Sequence, residues 1–210
     1  MENLRYIKIV TCMFFILLAA CGCRSTGIVR ERAEFYYQNP RKDLSSMGRI
    51  AIVELQNDSS YPQMSSNITE ALFQSLQKKQ VFGLTIVRQR DALWKSLQLA
   101  PDTTYTLEQM AAVRQTLKCD GVLIGTITEF EPYPHMAVGL RLKLIDLTSG
   151  ELLWAIEQVW NSSDKVTERR IRKYLNETRS SLANNSNESI TAISPLEFIK
   201  YISYEVAQTL

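Results

Sequence analysis

The chain is poor in the residues that most enzyme and metal chemistry needs. There is one histidine, His135, in 210 residues. It stands in Pro132-Tyr133-Pro134-His135-Met136 with no nucleophile beside it, which argues against a Ser/His/Asp or Cys/His arrangement. Four cysteines are too few and too scattered for a disulfide framework or a zinc site of the usual spacing. No glycine-rich loop is placed to cradle a phosphate, and no HExxH pair is present. No cofactor is expected. The excess of one charge sign is also small. A formal net charge of +2 gives no nucleic-acid signature, and no nucleic-acid partner is expected. The longest apolar run near the start, Ile9 to Leu18, is too short to span a bilayer as a helix.

What is present begins with that run. Arg5 and Lys8 precede it, and Leu18-Ala19-Ala20-Cys21 follows it. A positive stretch, an apolar stretch and small residues before a cleavage point make a secretory signal. The cysteine at that point resembles a bacterial lipobox. The resemblance implies cleavage before Cys21 and acylation of Cys21, so residues 1–20 are read as a signal peptide. In enterobacterial lipoproteins Asp after the cysteine favours inner-membrane retention, so the resemblance with Gly22 there implies the outer membrane, with the domain facing the periplasm. Residues 21–48 are read as a lipidated tether, about 27 residues that reach roughly 90 Å when stretched. Within it, Arg30 to Tyr37 is a candidate short helix, and Phe35, Tyr36 and Tyr37 are expected to pack on the domain. Cys23 and Cys119 are left either as a disulfide or as a linker thiol and a buried residue.

From residue 49 to 210 the pattern is globular, with 45% hydrophobic and 22% charged residues. Arg49 to Leu55 is nearly continuous in apolar residues, as a strand covered on both faces requires. Phe82 to Arg88 is a second strand. Cys119 to Trp160 alternates with period two and predicts three antiparallel strands, with Leu152, Trp154 and Ile156 sharing one face. Helices are predicted over Asn67–Gln80, where Asn67 and Glu70 form a capping pattern, over Asp91–Leu99, from Thr106 to Lys118, over Asp164–Ser181, and from Ser194 to the C-terminus. Ser194-Pro195-Leu196-Glu197 combines a capping box with proline at the first helical position. Leu182 to Ile193 reads as a polar loop. The fold class expected is α+β: a mixed, largely antiparallel sheet of about five strands with helices packed on its faces.

Three features invite a functional reading. The helix over Asp164–Ser181 is the most basic stretch, which suits anionic lipid, an acidic partner or simply a solvated face. Glu129 and Glu131 are the carboxylates considered for glycan hydrolysis, a role that surface carboxylates rarely have. The loop Pro132, Tyr133, Pro134, His135, Met136 is the candidate partner-binding loop. No residue is singled out as catalytic or as a metal ligand.

LKCDGVLIGTITEF followed by LRLKLIDLTSGELLWA resembles the domain shared by the curli secretion lipoprotein CsgG, the penicillin-binding-protein activator LpoB and the amino-terminal domain of TolB. Asp120, Gly121, Gly125, Leu142, Asp146, Gly150 and Trp154 occupy the positions that mark it. The resemblance covers about Arg49 to Trp160. It implies a mixed sheet, no catalysis, and work by docking or assembly. The expectation is a non-enzymatic, lipid-anchored envelope protein that binds other envelope proteins, with homo-oligomerisation left open. The alternatives are a CsgG-like oligomeric secretion channel and a cell-wall glycan hydrolase. Against the channel, no spare pair of membrane-spanning strands is visible in the sequence.

Overall fold

The apolar run of Arg49–Val53 forms the strand on which the molecule is built. Ile50, Ala51, Ile52 and Val53 are all buried, as a strand covered on both faces should be. The computed structural model describes residues 33, 35–92, 102–180 and 193–210. The signal peptide, Cys21, Cys23, all but two residues of the helix expected over Asp91–Leu99, and nearly all of the loop after Leu182 lie outside them.

Seven strands make one sheet among the described residues. They are β1 (Tyr36–Gln38), β2 (Arg49–Val53), β3 (Gln56–Asn57), β4 (Gly83–Val87), β5 (Gly121–Glu131), β6 (Ala137–Asp146) and β7 (Leu152–Asn161). The order is β1-β7-β6-β5-β2-β4, with β3 pairing β5. β2 runs parallel to β4 and β5, and β3 runs parallel to β5. The long β5–β6–β7 meander and the β1–β7 pair are antiparallel. Four helices complete the described fold: α1 (Met64–Lys79), α2 (Leu107–Leu117), α3 (Lys165–Ser180) and α4 (Pro195–Ala207). This is the α+β class expected, with a mixed open sheet of seven strands rather than about five. The additions are the three-residue β1 and the two-residue β3.

Two cores lie on the two faces of the sheet. On one, Ile52, Leu123, Leu142, Trp154 and Ile156 meet Ile68, Leu72 and Leu76 of α1 and Phe198, Ile202 and Val206 of α4. On the other, Ala51, Val53, Val122 and Ile124 meet Met110 and Val113 of α2. A buried ion pair, Arg170 to Glu205 at 3.1 Å, joins α3 to α4. The described residues belong to one compact unit, Glu31–Leu210.

Several local expectations are corrected. Residues 36–48, read as tether, are part of the folded unit. Tyr36 and Tyr37 lie on a strand, not a helix, and Tyr36–Gln38 pairs with Trp154–Ile156. Asn39 donates its amide N–H to the Leu153 carbonyl at 2.8 Å, and Leu44 is buried in a 3-10 turn. Phe35 does not pack inward as expected but is 70% exposed. α1 starts at Met64, three residues before Asn67, and its N-cap Gln63 makes no side-chain cap bond. The helix start is held from the sheet side instead. Ser65 Oγ donates to the Leu55 carbonyl, and Leu55 N–H donates to Thr69 Oγ1 at 3.0 Å.

The alternation of β7 is broken as well. The register slips between Leu144 and Ile145, whose partners are Trp154 and Leu152. Leu153 is the extra residue and enters the core beside Trp154, while Leu152 faces out. Leu196 and Leu107 begin their helices exposed, whereas Phe198 and Met110 carry the burial.

Candidate interaction surfaces

The hairpin between β5 and β6 carries the candidate loop. Pro134 follows a cis peptide bond to Tyr133. Tyr133 is 85% exposed, the most exposed large apolar side chain among the described residues, and Pro134 and His135 are exposed beside it. The loop's base is fastened. Met136 N–H donates to Ser162 Oγ at 2.9 Å, Ser162 N–H donates to the Met136 carbonyl at 2.8 Å, and the Met136 side chain packs on the core. On the other side Phe130 is buried, edge-on to Tyr61 at 5.2 Å between ring centres. An exposed tyrosine on a fastened base is a surface that can bind a protein without first being ordered.

Glu129 and Glu131 stand two residues apart on β5. Their cross-strand neighbours on β6 are Gly139 and Ala137, so the sheet sets no second carboxylate opposite them. Among the described residues, no group of three or more His, Cys, Asp or Glu could hold a metal ion.

The motif residues gather at the other end of the sheet, where they bind backbone. Asp120 Oδ2 accepts from the N–H groups of Gly48 and Arg49, each at 3.1 Å, and so stitches the start of β2 to the entry of β5. Gly121 and Gly125 both lie on β5, and at Gly125 a side chain would not fit. A Cβ at Gly125 would meet the Arg141 carbonyl oxygen at 2.4 Å. Gly150 adopts φ +74° in the β6–β7 turn, the left-handed region glycine favours. Asp146 closes that turn by accepting from Thr148 N–H at 2.7 Å and from Ser149 Oγ at 2.9 Å. Partial burial works to raise its carboxyl. The Thr148 amide, the Ser149 hydroxyl, the Lys42 ammonium and the Ser149 amide together hold it below the usual carboxylate range. Trp154 is fully buried and donates its indole N–H to Thr209 Oγ1 at 3.2 Å. Asp120 and Asp146 line a cavity of about 210 Å³ with Lys42 and Met47. Cys119 is a buried, free thiol, raised in pKa by that burial.

Sequence reasoning missed Lys42, which reaches Asp146 at 3.2 Å and Glu151 at 3.6 Å across the β6–β7 turn. It also missed a third surface, at the open edge of β7. β1 covers only Trp154–Ile156, so the strand beyond has no neighbour on that side among the described residues. Phe35, Val159 and Val166, all exposed, line a cavity of about 420 Å³ there with Glu157, Thr167 and Arg170. No periodicity marks these positions, because a strand, the helix after it and the distant Phe35 supply them together.

Fold and surfaces together define an α+β protein with an open mixed sheet, helices on both faces, and exposed loops and edges. No family model matches the chain, and no curated protein matches it. Among solved structures it is similar to the PelC dodecamer from Paraburkholderia phytofirmans, at 16% identity and TM-score 0.45, covering 64% of this chain and 86% of that one. It is similar to lipoprotein GNA1162 from Neisseria meningitidis, at 16% identity and TM-score 0.45, over 63% and 99% of the two chains. A third similarity is to the LpoB C-terminal domain from Salmonella enterica, at 21% identity and TM-score 0.38, over 54% and 82%. All three TM-scores are below 0.5, so these likenesses carry no assignment of activity or partner.

Proposed function

We propose that this chain is a lipid-anchored protein of the bacterial cell envelope, held in the outer membrane and facing the periplasm. Its domain docks other envelope proteins, in support of envelope assembly, secretion or cell-wall synthesis, and catalyses no reaction. The observation that carries the reading is Leu18-Ala19-Ala20-Cys21 directly after the apolar stretch Ile9 to Leu18. Acylation at Cys21 holds the domain at the membrane and raises its local concentration for partners there. The Tyr133 loop is the surface offered to them, being exposed at its tip and fastened at its base.

Two measurements test this. A fatty-acid probe fed to cells should label the protein and fail to label Cys21→Ala; label retained in that variant would sink the anchor. A photo-crosslinking amino acid at Tyr133 should capture envelope proteins in cells. One placed at Thr148, in the turn at the opposite end of the sheet, should capture far fewer. Equal capture at both positions would remove the loop from the docking surface.

A further inference from the structure

We propose that the outer edge of β4 is an interface with a second copy of this chain, the two β4 strands pairing antiparallel about a twofold axis at Thr85. This surface is distinct from the Tyr133 loop, and its occupant is the chain itself. β4 stands at the end of the sheet and pairs only with β2 among the described residues. The ladder fixes which backbone groups are left over. Gly83 N–H donates to the Gly48 carbonyl and Glu54 N–H donates to the Val87 carbonyl, each at 2.8 Å. In a parallel ladder alternate residues turn both backbone groups to one side, so Gly83, Thr85 and Val87 face β2 while Leu84 and Ile86 face outward. Nothing among the described residues takes the outward N–H and C=O of Leu84 and Ile86. The edge closes just after the strand, where Asp91 Oδ2 accepts from Arg88 N–H at 2.8 Å and Asp91 N–H donates to the Arg88 carbonyl at 2.9 Å. Leu84, Thr85 and Ile86 are half-buried, whereas Ile50, Ala51 and Ile52, their partners on β2, are buried.

Sheet edges that face water carry charges, prolines or bulges, or are kept short, because an open strand recruits another. The other end of this sheet follows that rule. β1 is three residues long with Pro40 just after it, and β7 beyond it carries exposed Glu157. β4 reads Gly-Leu-Thr-Ile-Val, with no charge, no proline and an unbroken register against β2. Its outward groups are self-complementary. With the axis at Thr85, Leu84 lies opposite the partner's Ile86, and Ile86 lies opposite the partner's Leu84. Each pair exchanges two hydrogen bonds, because both of its residues turn their backbone groups outward. Thr85 meets the partner's Thr85 as a non-hydrogen-bonded pair, where side chains are closest and two threonines are favourable. Like charges do not meet, since Arg88 falls opposite the partner's Phe82. Leu84 and Ile86 share one face of β4, and Leu84, Phe82 and Phe73 are partly buried against the core on that face. Phe73 is one turn from Glu70, which reaches Arg88 at 2.8 Å, so Phe73 stands on the β4 side of α1. Two copies therefore add apolar cover to the paired backbone. A twofold contact closes both edges, so the pairing stops at two.

Cysteine crosslinking in cells tests the register, in the full chain carrying Cys23→Ser so that this thiol is removed; Cys119 is buried. A non-hydrogen-bonded pair sets its Cα atoms about 4.5 Å apart, within the range a disulfide spans. Thr85→Cys should therefore convert most of the protein to a disulfide-linked dimer under a mild oxidant, read on a non-reducing gel. Gly83→Cys should not, because the same residue of the second copy lies about 14 Å away along the antiparallel strand. The Cys23→Ser parent is the background lane above which the yield is counted. The purified chain carrying Cys21→Ser and Cys23→Ser should sediment at twice the monomer mass. Thr85→Lys sets two ammonium groups against each other at the axis and should weaken association about tenfold or more, with an unchanged circular dichroism spectrum. Ile86→Pro removes only an outward N–H, which an edge strand tolerates, and should have the same effect if Thr85→Lys does not fold. A monomer by both measurements, or rings of more than two copies, overturns the proposal. So does equal crosslinking at Thr85→Cys and Gly83→Cys, capture of a different protein by Thr85→Cys in place of a second copy, or an unweakened dimer in the folded variants. None of these readings depends on acylation of Cys21, which the fatty-acid label tests separately.

Discussion

At the scale of single residues, the side chains that hold most backbone here are carboxylates in turns. Asp146 accepts three hydrogen bonds within the β6–β7 turn and one from Lys42, which fastens the segment after β1 to the sheet. Its carboxyl is held low, so its contribution to stability is complete above the ordinary carboxylate range, near pH 4. That contribution is lost as pH falls through the depressed folded value. Asp43, held low by the Ser45 hydroxyl and amide, and Asp164, held low by the Thr167 amide and hydroxyl, act with the same sign. Asp146→Asn should therefore cost about 1–2 kcal/mol at neutral pH, from loss of charge-assisted bonds. The variant should also flatten the acid limb of stability against pH, as measured by urea unfolding between about pH 2.5 and pH 7. An unchanged acid limb would show that Asp146 is not protected as the geometry implies. Tyr133, by contrast, makes few contacts. Tyr133→Ala should leave the melting temperature within about 2 °C, a small surface effect, while reducing capture of envelope partners.

At the scale of elements, α3 and α4 are joined by an ion pair that no local pattern announces. Arg170 and Glu205 are both almost fully buried, 3.1 Å apart. Removing one partner strands a charge in the interior, so Glu205→Ala should destabilise by about 3–5 kcal/mol in denaturant unfolding. Replacing both with apolar residues of similar size, Arg170→Met with Glu205→Leu, should recover most of that loss. A double variant no more stable than Glu205→Ala would mean that packing, not charge, dominates there. Ser194→Ala removes the side-chain half of the α4 capping box and should cost about 1 kcal/mol by the same measurement. That cap shows which elements were legible in the sequence. The Ser194 box forms as the spacing predicts, and Thr106 with Gln109 makes the same box at the start of α2, because a capping box involves only residues three apart. The Asn67–Glu70 pattern has the same spacing but no such role, because contacts of Leu55 with Ser65 and Thr69 fix the start of α1 from outside the helix. β1 and β3 are too short to show a period, and the bulge at Leu153 shifts the period where it could have been read. The candidate loop was legible as the Pro132–Met136 segment between two alternating strands. Its fastening to Ser162 was not, since that partner lies 26 residues away.

At the scale of the whole molecule, the decisive correction concerns where the folded unit begins. The composition from Gly22 to Gly48 resembles a linker, because its apolar residues follow no period. Yet Ala33 and Leu44 are buried, Tyr36 packs against the main core, and Asn39 hydrogen-bonds the β7 backbone through its amide N–H and, at 3.2 Å, through its side-chain Nδ2. These residues cover the edge of β7 beside Trp154, one of two fully buried tryptophans among the described residues. A chain beginning at Glu31 should therefore keep the stability that the folded unit has in the longer chain. A chain beginning at Arg49 loses β1, the 3-10 turn and the Lys42 bridge, and exposes backbone groups of β7 that were paired. Full burial of a leucine-sized side chain contributes about 2 kcal/mol, and each hydrogen bond left unmade in a buried setting costs about 1–3 kcal/mol. Losses of about 5 kcal/mol or more are expected, against a total of about 5–15 kcal/mol for a typical domain. The shorter chain should then be largely unfolded or strongly destabilised, and its edge strand exposed to aggregation. Thermal melts of the two truncations decide the matter. If the chain from Arg49 melts within about 3 °C of the chain from Glu31, residues 36–48 are a tether that merely lies along the sheet.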